Sequence, residues 1–266
     1  MEHPPATPDT RHPRRLPHLF TQDIDTVPVH CVRPADTDRP TWAVYQHSRY
    51  LGTLHARPGE GWYVQASREL HTDFANAIRA LRRPPTWPRV RAHAVEWARL
   101  TLGDPNLRVI NIQTTGLQDP RAVQIAVSSA NNIVFNELIN PNHHIEPDAT
   151  RLHHHTQHTT RHAPTFSEVL PLLTETLHGR RLLAYNLPFV QHVLQSELSR
   201  HNRTTRPAAN WPPLTSWADA MTPIAQWTGL WSAQHRAYRR QRLHSPHEAA
   251  SKCRALLSSL NALTYN

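Results

Sequence analysis

Two amide side chains set two residues apart are the first candidates for chemistry in this chain. Leu107-Arg-Val-Ile-Asn111-Ile-Gln113 is a short apolar, β-branched run that reads as a buried strand, and Thr114-Thr115-Gly116 ends it with turn residues. Side chains alternate along a strand, so Asn111 and Gln113 emerge on the same face. Both are neutral, and neutral amides can join a metal site but cannot build one without carboxylates. A second group is Asn186-Leu-Pro-Phe189-Val190, and a third is His244 with Ala249 five residues later. Seven histidines lie between His143 and His162. Within them His154/His158 and His158/His162 have the i,i+4 spacing that suits zinc on a helix, and a solvated polar surface is the other reading of this run.

Regular elements must position these groups. Residues 122–127 read as a second strand, Asn131-Asn132 as a tight hairpin turn with left-handed backbone, and residues 133–139 as a third strand. Thr165 and Glu168 form a capping box that opens a helix with Phe166, Val169, Leu170, Leu173 and Leu177 on one face, and Gly179 stops it. A fourth strand over 181–185 leads to a helix with Pro188 in its first turn. Residues 202–216 are a loop, and 217–231 form a Trp-rich helical segment. Ser245 and Glu248 make a second capping box ahead of a last helix, with Ala249, Cys253, Leu256, Leu260 and Leu263 on one stripe. The order implies an α/β chain with a mixed sheet flanked by helices.

Upstream, residues 1–38 are Pro- and Arg-rich and read as a disordered arm, whose Arg11, Arg14 and Arg15 are placed to touch phosphate or to stay idle. Residues 39–88 read as a small β-β-β-α unit: strands at 41–45, 50–54 and 62–66, then a helix with Phe74, Ala77, Ile78 and Leu81. Trp42, Tyr45, Tyr50, Trp62 and Tyr63, beside Arg49 and Arg57, either form a base-stacking face or fill the core. Residues 89–103 read as a linker helix, and 104–266 as the remaining domain.

In order and spacing, residues 104–263 resemble the DEDDh 3′→5′ exonucleases, the family of the proofreading subunit of bacterial DNA polymerase III. The family's Asp-x-Glu-Thr-Thr-Gly corresponds to Asn111-Ile-Gln113-Thr114-Thr115-Gly116, its Asn-x-x-Phe-Asp to Asn186-Leu-Pro-Phe189-Val190, and its His with Asp five residues later to His244 and Ala249. The loop pattern that includes Ala-Pro-Thr-Phe is met at Ala149-Thr-Arg-Leu-His153 and Ala163-Pro-Thr-Phe166. The resemblance implies a ribonuclease-H-like fold. It also implies a site in which two Mg²⁺ or Mn²⁺ ions clamp the scissile phosphate while the histidine acts as general base. All four family carboxylates are replaced, by Asn111, Gln113, Val190 and Ala249, and only His244 is retained. Neither Asp219 nor Glu248 nor Asp119 restores the adjacent pair on the first strand. No metal cofactor is therefore expected.

Composition bears on the partner. The net charge is +9 and the pI about 10.5, and Lys252 is the only lysine among 29 basic residues. That balance favours a polyanion, and arginine forks suit phosphate. Cys31 and Cys253 are the only cysteines, which excludes a disulfide framework and a zinc ribbon. No apolar stretch approaches 18 residues, and the mean hydropathy is −0.60, so a cytoplasmic chain without a membrane partner is expected. The expected function is that of a catalytically inactive pseudo-exonuclease, with a possible protein partner. It would bind single strands or 3′ ends, with Thr114, Thr115, Gly116, Asn186 and Phe189 bordering the terminal nucleotide. Two other readings are open: a decayed fold kept as a protein-interaction scaffold, and a weak metal-dependent exonuclease with relocated ligands.

Overall fold

The structure, a computed structural model, describes residues 9–10, 16–35, 40–57, 59–201, 211–243, 245 and 248–265. In chain order they form β1 (Leu19–Ile24), β2 (Val27–Val32), β3 (Thr41–Gln46), β4 (Arg49–Arg57), β5 (Gly61–Val64), β6 (Glu69–His71), α1 (Phe74–Leu81) and α2 (Trp87–Leu102). There follow β7 (Leu107–Thr114), β8 (Ala122–Ser128), β9 (Ile133–Leu138), α3 (Pro147–His153), α4 (Gln157–Thr160), α5 (Phe166–Leu177), β10 (Arg181–Ala184) and α6 (Leu187–His201). The last are β11 (Ser216–Asp219), α7 (Met221–Thr228), β12 (Trp231–Ser232), β13 (Ala237–Tyr238) and α8 (Ala249–Thr264). The chain divides into two compact units, residues 1–91 with 228–239 and residues 92–227 with 240–266. No helix among the described residues is long and apolar enough to cross a membrane.

The first unit is an antiparallel sheet in the order β1-β2-β3-β4-β5-β6. Alternation sends Phe20, Val29, Cys31, Trp42, Val44, Leu54, Trp62 and Val64 to one face, where they pack with Phe74, Ala77 and Ile78 of α1. The three strands expected between residues 41 and 66 are β3, β4 and β5, but the sheet has six. The expectation of a disordered arm over 1–38 fails for β1 and β2. Asp25 and Thr26 take φ of 57° and 64°, the two left-handed positions of a two-residue hairpin turn. The buried Asp25 carboxylate then accepts Arg79 at 3.0 Å and also Arg239. Proline content hid this hairpin. Pro28 lies on β2 outside the His30–Val32 stretch that pairs with β3, so its missing N–H removes no bond from that ladder. Arg11, Arg14 and Arg15 lie outside the described residues. The β12–β13 hairpin belongs to this unit, and Arg83 donates to the Gly229 and Thr228 carbonyls at 2.5 and 3.3 Å.

The second unit holds a five-stranded sheet in the order β11-β10-β7-β8-β9. β7, β8 and β9 form an antiparallel meander, while β10 runs parallel to both β7 and β11. Ile110 and Ile112 pack on one side with α5 and α6, and Val109 and Ala126 on the other with α7 and α8. This is the expected mixed sheet with helices on both faces. Glu168 closes the start of α5 by accepting the Thr165 N–H at 2.7 Å and its hydroxyl at 2.8 Å, and Gly179 at φ 65° follows the helix.

Three local expectations are corrected. Neither Asn131 nor Asn132 has positive φ; Ser129 closes that turn with bonds to Asn132 through both backbone and hydroxyl. Residues 216–219 are a strand, because Trp217 and Ala218 pair with Leu182 and Leu183 at the sheet edge, and only 221–228 are helical. Finally, α8 starts at Ala249 with Glu248 as its N-cap, so the Ser245/Glu248 capping box does not form.

Leu172 and Leu173 are neighbours on α5, but one is 54% exposed and the other fully buried. Leu173→Ala is expected to cost about 2–5 kcal/mol in urea unfolding, and Leu172→Ala under about 0.5 kcal/mol. Equal effects would contradict the described face of α5.

Candidate functional site

β7 is the centre of the second unit's sheet, and its pairing explains where the motif residues lie. Ile110 is in register with Ala184 on parallel β10, so Asn186, two residues past that strand, falls at the carboxyl end of the β10/β7 pair. Open α/β sheets place ligands at such carboxyl ends. Asn186 adopts φ 65° and its carbonyl accepts the Phe189 and Val190 N–H groups at 3.1 and 3.3 Å, which starts α6.

Asn111 and Gln113 lie on the same face of β7, as their spacing requires. The Gln113 amide donates to Asn111 Oδ1 at 3.0 Å, so each partly satisfies the other. Directly across the ladder from Gln113 stands Gln124 of β8. Gln124 is only 7% exposed, and three groups converge on it. Its Oε1 accepts the Ala249 N–H at 3.0 Å and lies 3.0 Å from His155 Nε2, while its Nε2 donates to Asn136 on β9 at 3.0 Å. A backbone N–H can only donate, so the Gln124 oxygen must face α8, and His155 must then donate from Nε2.

The histidines on this side are held neutral. His153, 3% exposed, has Nε2 3.1 Å from the Thr114 carbonyl, and its Nδ1 accepts the His155 N–H at 3.1 Å. The two rings stack at 5.1 Å. Burial pushes both imidazole pKa values down, and for His155 the nearby Glu248 carboxylate opposes that shift. The zinc spacing seen in the sequence is not realised on one helix, because His154 at φ 62° ends α3 and α4 covers only residues 157–160. Among the described residues no group of three or more His, Cys, Asp or Glu side chains could hold a metal ion.

The remaining motif residues are distributed unevenly. Ala249 is fully buried beside Gln124, with Val109, Ala126 and Cys253 in the same cluster. Val190 is 2% exposed in the cluster on the other side of β7, with Ile110 and Ile112. The structure therefore gathers Asn111, Gln113 and Ala249 around Gln124 and leaves Val190 in a separate apolar cluster. Thr114 and Thr115 are buried and internally bonded. The Thr114 hydroxyl donates to the Gly116 carbonyl at 2.9 Å, and the Thr115 hydroxyl accepts the Arg121 N–H at 3.1 Å. A Cβ on Gly116 would lie 2.1 Å from the Glu146 carboxyl carbon, so glycine is what lets Glu146 sit against the strand end. Phe189 is half-buried against the α5/α6 core. His244 lies outside the described residues. The same five-residue interval also fits His247, likewise outside them, and Lys252 on α8. Lys252 is partly buried, which pulls its pKa down. Neither register supplies a carboxylate.

The acids weighed as substitutes have other partners. Asp219 accepts the Leu187 N–H at 3.0 Å and the Thr222 N–H at 3.4 Å, tying down the starts of α6 and α7. Asp119 pairs with Arg200 at 2.6 Å beside an open polar cleft of about 410 Å³ that contains no motif residue. Gln124, Asn136 and His155 are what the sequence reading missed. The signal was available, because Gln124 is the one polar residue in the apolar run 122–127.

The sequence model of the family described as Exonuclease (RNase_T) matches residues 113–256. The chain belongs to this exonuclease family. Similar solved structures include exonuclease X in complex with 5′-overhanging duplex DNA, at 22% identity and a TM-score of 0.38, covering 60% of this chain and 94% of that one. Exonuclease I of E. coli in complex with a 5cy-dA13 oligonucleotide is 18% identical with a TM-score of 0.44, covering 58% and 39%. Cell-death related nuclease 4 is 14% identical with a TM-score of 0.38, covering 59% and 62%. No curated protein matches the chain. In this exonuclease-family chain the face of β7 that carries Asn111 and Gln113 is lined by amides, neutral imidazoles and a helix N-terminus.

The depressed imidazole pKa values give a pH dependence with a defined sign. Below about pH 6.5 the unfolded chain takes up protons at His153 and His155 before the folded chain does. Stability is therefore full above that pH and declines as pH falls through it. Chemical denaturation at pH 7.5, 6.5 and 5.5 should show the loss, and His153→Gln should flatten the profile. A parallel profile in the variant would contradict the assignment.

Proposed function

We propose that the second unit is a catalytically silent exonuclease-family domain that binds single-stranded nucleic acid, including 3′ ends, without cleaving it. One observation carries the reading: the amides of β7 and β8 on this face are engaged with protein groups, with Gln113 bonded to Asn111 and Gln124 bonded to Asn136, His155 and the start of α8. Two hard divalent cations need several anionic oxygens at close range. The side chains here do not fit that demand, since Asn111 and Gln113 are neutral and Val190 and Ala249 are buried apolar groups with no oxygen to offer. Without bound metal a histidine at position 244 has no activated water to deprotonate.

What remains suits binding. The four motif positions carry no charge where the family has four carboxylates, which lowers the repulsion of phosphate even with Glu146 beside Gly116, and the net charge of +9 favours a polyanion. Asn186 and Phe189, at the start of α6, are the positions that would border a terminal nucleotide. Asp219 and Glu248 are the first residues to test if cleavage is found, although Asp219 is already occupied as a helix cap.

The test is a titration of labelled single-stranded and duplex DNA and RNA, with degradation assays in Mn²⁺ alongside. Affinity for single strands should fall by more than about tenfold between 50 and 200 mM salt. The purified chain should leave 3′ ends intact, and Mg²⁺ or Mn²⁺ at millimolar levels should not shift its melting temperature. Asn111→Asp, Gln113→Glu and Val190→Asp, combined with either Ala249→Asp or Lys252→Asp, should introduce weak Mn²⁺-dependent trimming, and single restorations should not. Trimming by the parent chain that disappears in His244→Ala would falsify the silent-site reading.

A further inference from the structure

The first unit's sheet has two unlike faces. One is sealed by α1 over Trp42 and Trp62, which are 0% and 2% exposed, so those two indoles belong to the core. No described helix or strand covers the other. Three tyrosines lie on that open face: Tyr45 on β3, Tyr50 on β4 and Tyr63 on β5. A β-bulge makes this possible. Val44 pairs with Gly52 and Tyr45 with Tyr50, so Leu51 is an extra residue on β4. Leu51 and Gly52 both turn toward α1, where a Cβ on Gly52 would meet Leu81 at 2.6 Å. The extra residue reverses the alternation and brings Tyr50 onto the same face as Thr53, His55 and Arg57.

The rings on this face, Tyr50 exposed and Tyr45, His55 and Tyr63 half-buried, are pre-positioned. Tyr45 and Tyr50 stand 5.4 Å apart and His55 and Tyr63 6.1 Å apart, while Arg57 lies over the Tyr63 ring at 4.6 Å. The Tyr50 hydroxyl is 2.6 Å from the Thr53 hydroxyl. The His55 ring is held between Thr41 at 2.8 Å and Gln65 at 3.3 Å. On neighbouring β2, His30 is in register with Tyr45 and is oriented by Thr21 at 2.8 Å. Tyr50 remains 52% exposed. Among the described residues the carboxylates nearby are Asp23 on β1 and Glu60, which pairs with Arg57 at 3.5 Å.

We propose that this open face is a binding platform for single-stranded nucleic acid, separate from the β7 site. Flat rings on adjacent strands offer bases π-surfaces, and Arg57 supplies both a stacking plane and a charge for phosphate. Rings already fixed by hydroxyl and amide partners lose little freedom when a base lands on them. A duplex hides its base faces, so the platform selects single strands. It takes any sequence, since every base has a π-face.

The probe is a closed circle of about 30 deoxythymidines, which has no 3′ end and so removes end binding, while substitutions on this face separate it from single-strand binding by the second unit. Anisotropy titrations of the full chain should show the circle binding, and binding a nicked duplex more weakly. Tyr63→Ala, Tyr50→Ala and Arg57→Ala should each weaken circle binding about fivefold or more, with melting temperature held, and Tyr63→Phe should bind like the parent. Where Tyr63→Ala lowers the melting temperature, Tyr50→Ala carries the test, because its ring is more than half exposed. Parent-like affinity in the Tyr50 and Tyr63 variants overturns the proposal. So does a parent chain that ignores the circle, which would leave the face to a protein partner. A parent that binds the circle but shows no preference for linear 3′ ends would refute end binding in the second unit while sustaining the platform.

Discussion

Gln124 holds the second unit's polar face together, and the pairing of buried polar groups is the constraint it obeys. A backbone N–H at the start of α8, an imidazole and an asparagine amide all find partners on this one side chain. Leaving one of them unsatisfied inside the fold would cost about 1–3 kcal/mol. An amide can do this because it carries both a donor and an acceptor and no charge. It needs no counter-ion, and it ties β8 to β9 and α8. Gln113, its cross-strand neighbour, satisfies itself on Asn111 in the same way.

A cluster of carboxylates on this face would behave differently. Like charges a few ångströms apart repel, and burial raises the cost of ionising each. Cations would have to supply what the amides supply here. The consequences extend into the packing, where Val190 and Ala249 close against apolar neighbours on opposite sides of β7. Restoring acids at such places asks the surroundings to open, and a catalytic constellation tolerates only about 0.5 Å of misplacement. The neutral histidines fit the same picture, since each uses one ring nitrogen as a donor and His153 uses the other as an acceptor.

The first unit solves a different problem with the same alternation. A sheet with one covered face must put its large apolar groups on that side, and Trp42, Trp62 and Phe74 meet there with ring centroids 4.9 to 5.5 Å apart. Period-two spacing alone would send residues 50, 52 and 54 to one face. The single extra residue at Leu51 breaks that rule and divides β4 between two parities.

The sequence by itself determined β7 to β10, α5, α6 and α8 in their order, the family, and the absence of an adjacent acidic pair on the first motif strand. These are carried by local signals: β-branched runs, the Thr165/Glu168 cap, Gly179, and motif spacing. It also offered the aromatic residues of the first unit as either core or platform, without the means to separate them. Tertiary structure made that separation, because burial depends on which face a helix covers and a bulge changes the face. It also recovered β1 and β2 from a proline-rich stretch, since Asp25 finds its arginines only when residues 79 and 239 are brought near. The convergence on Gln124 was equally beyond reach. Its partners come from residues 136, 155 and 249, and no local pattern announces a hydrogen bond between side chains that meet only when the sheet and the last helix close on each other.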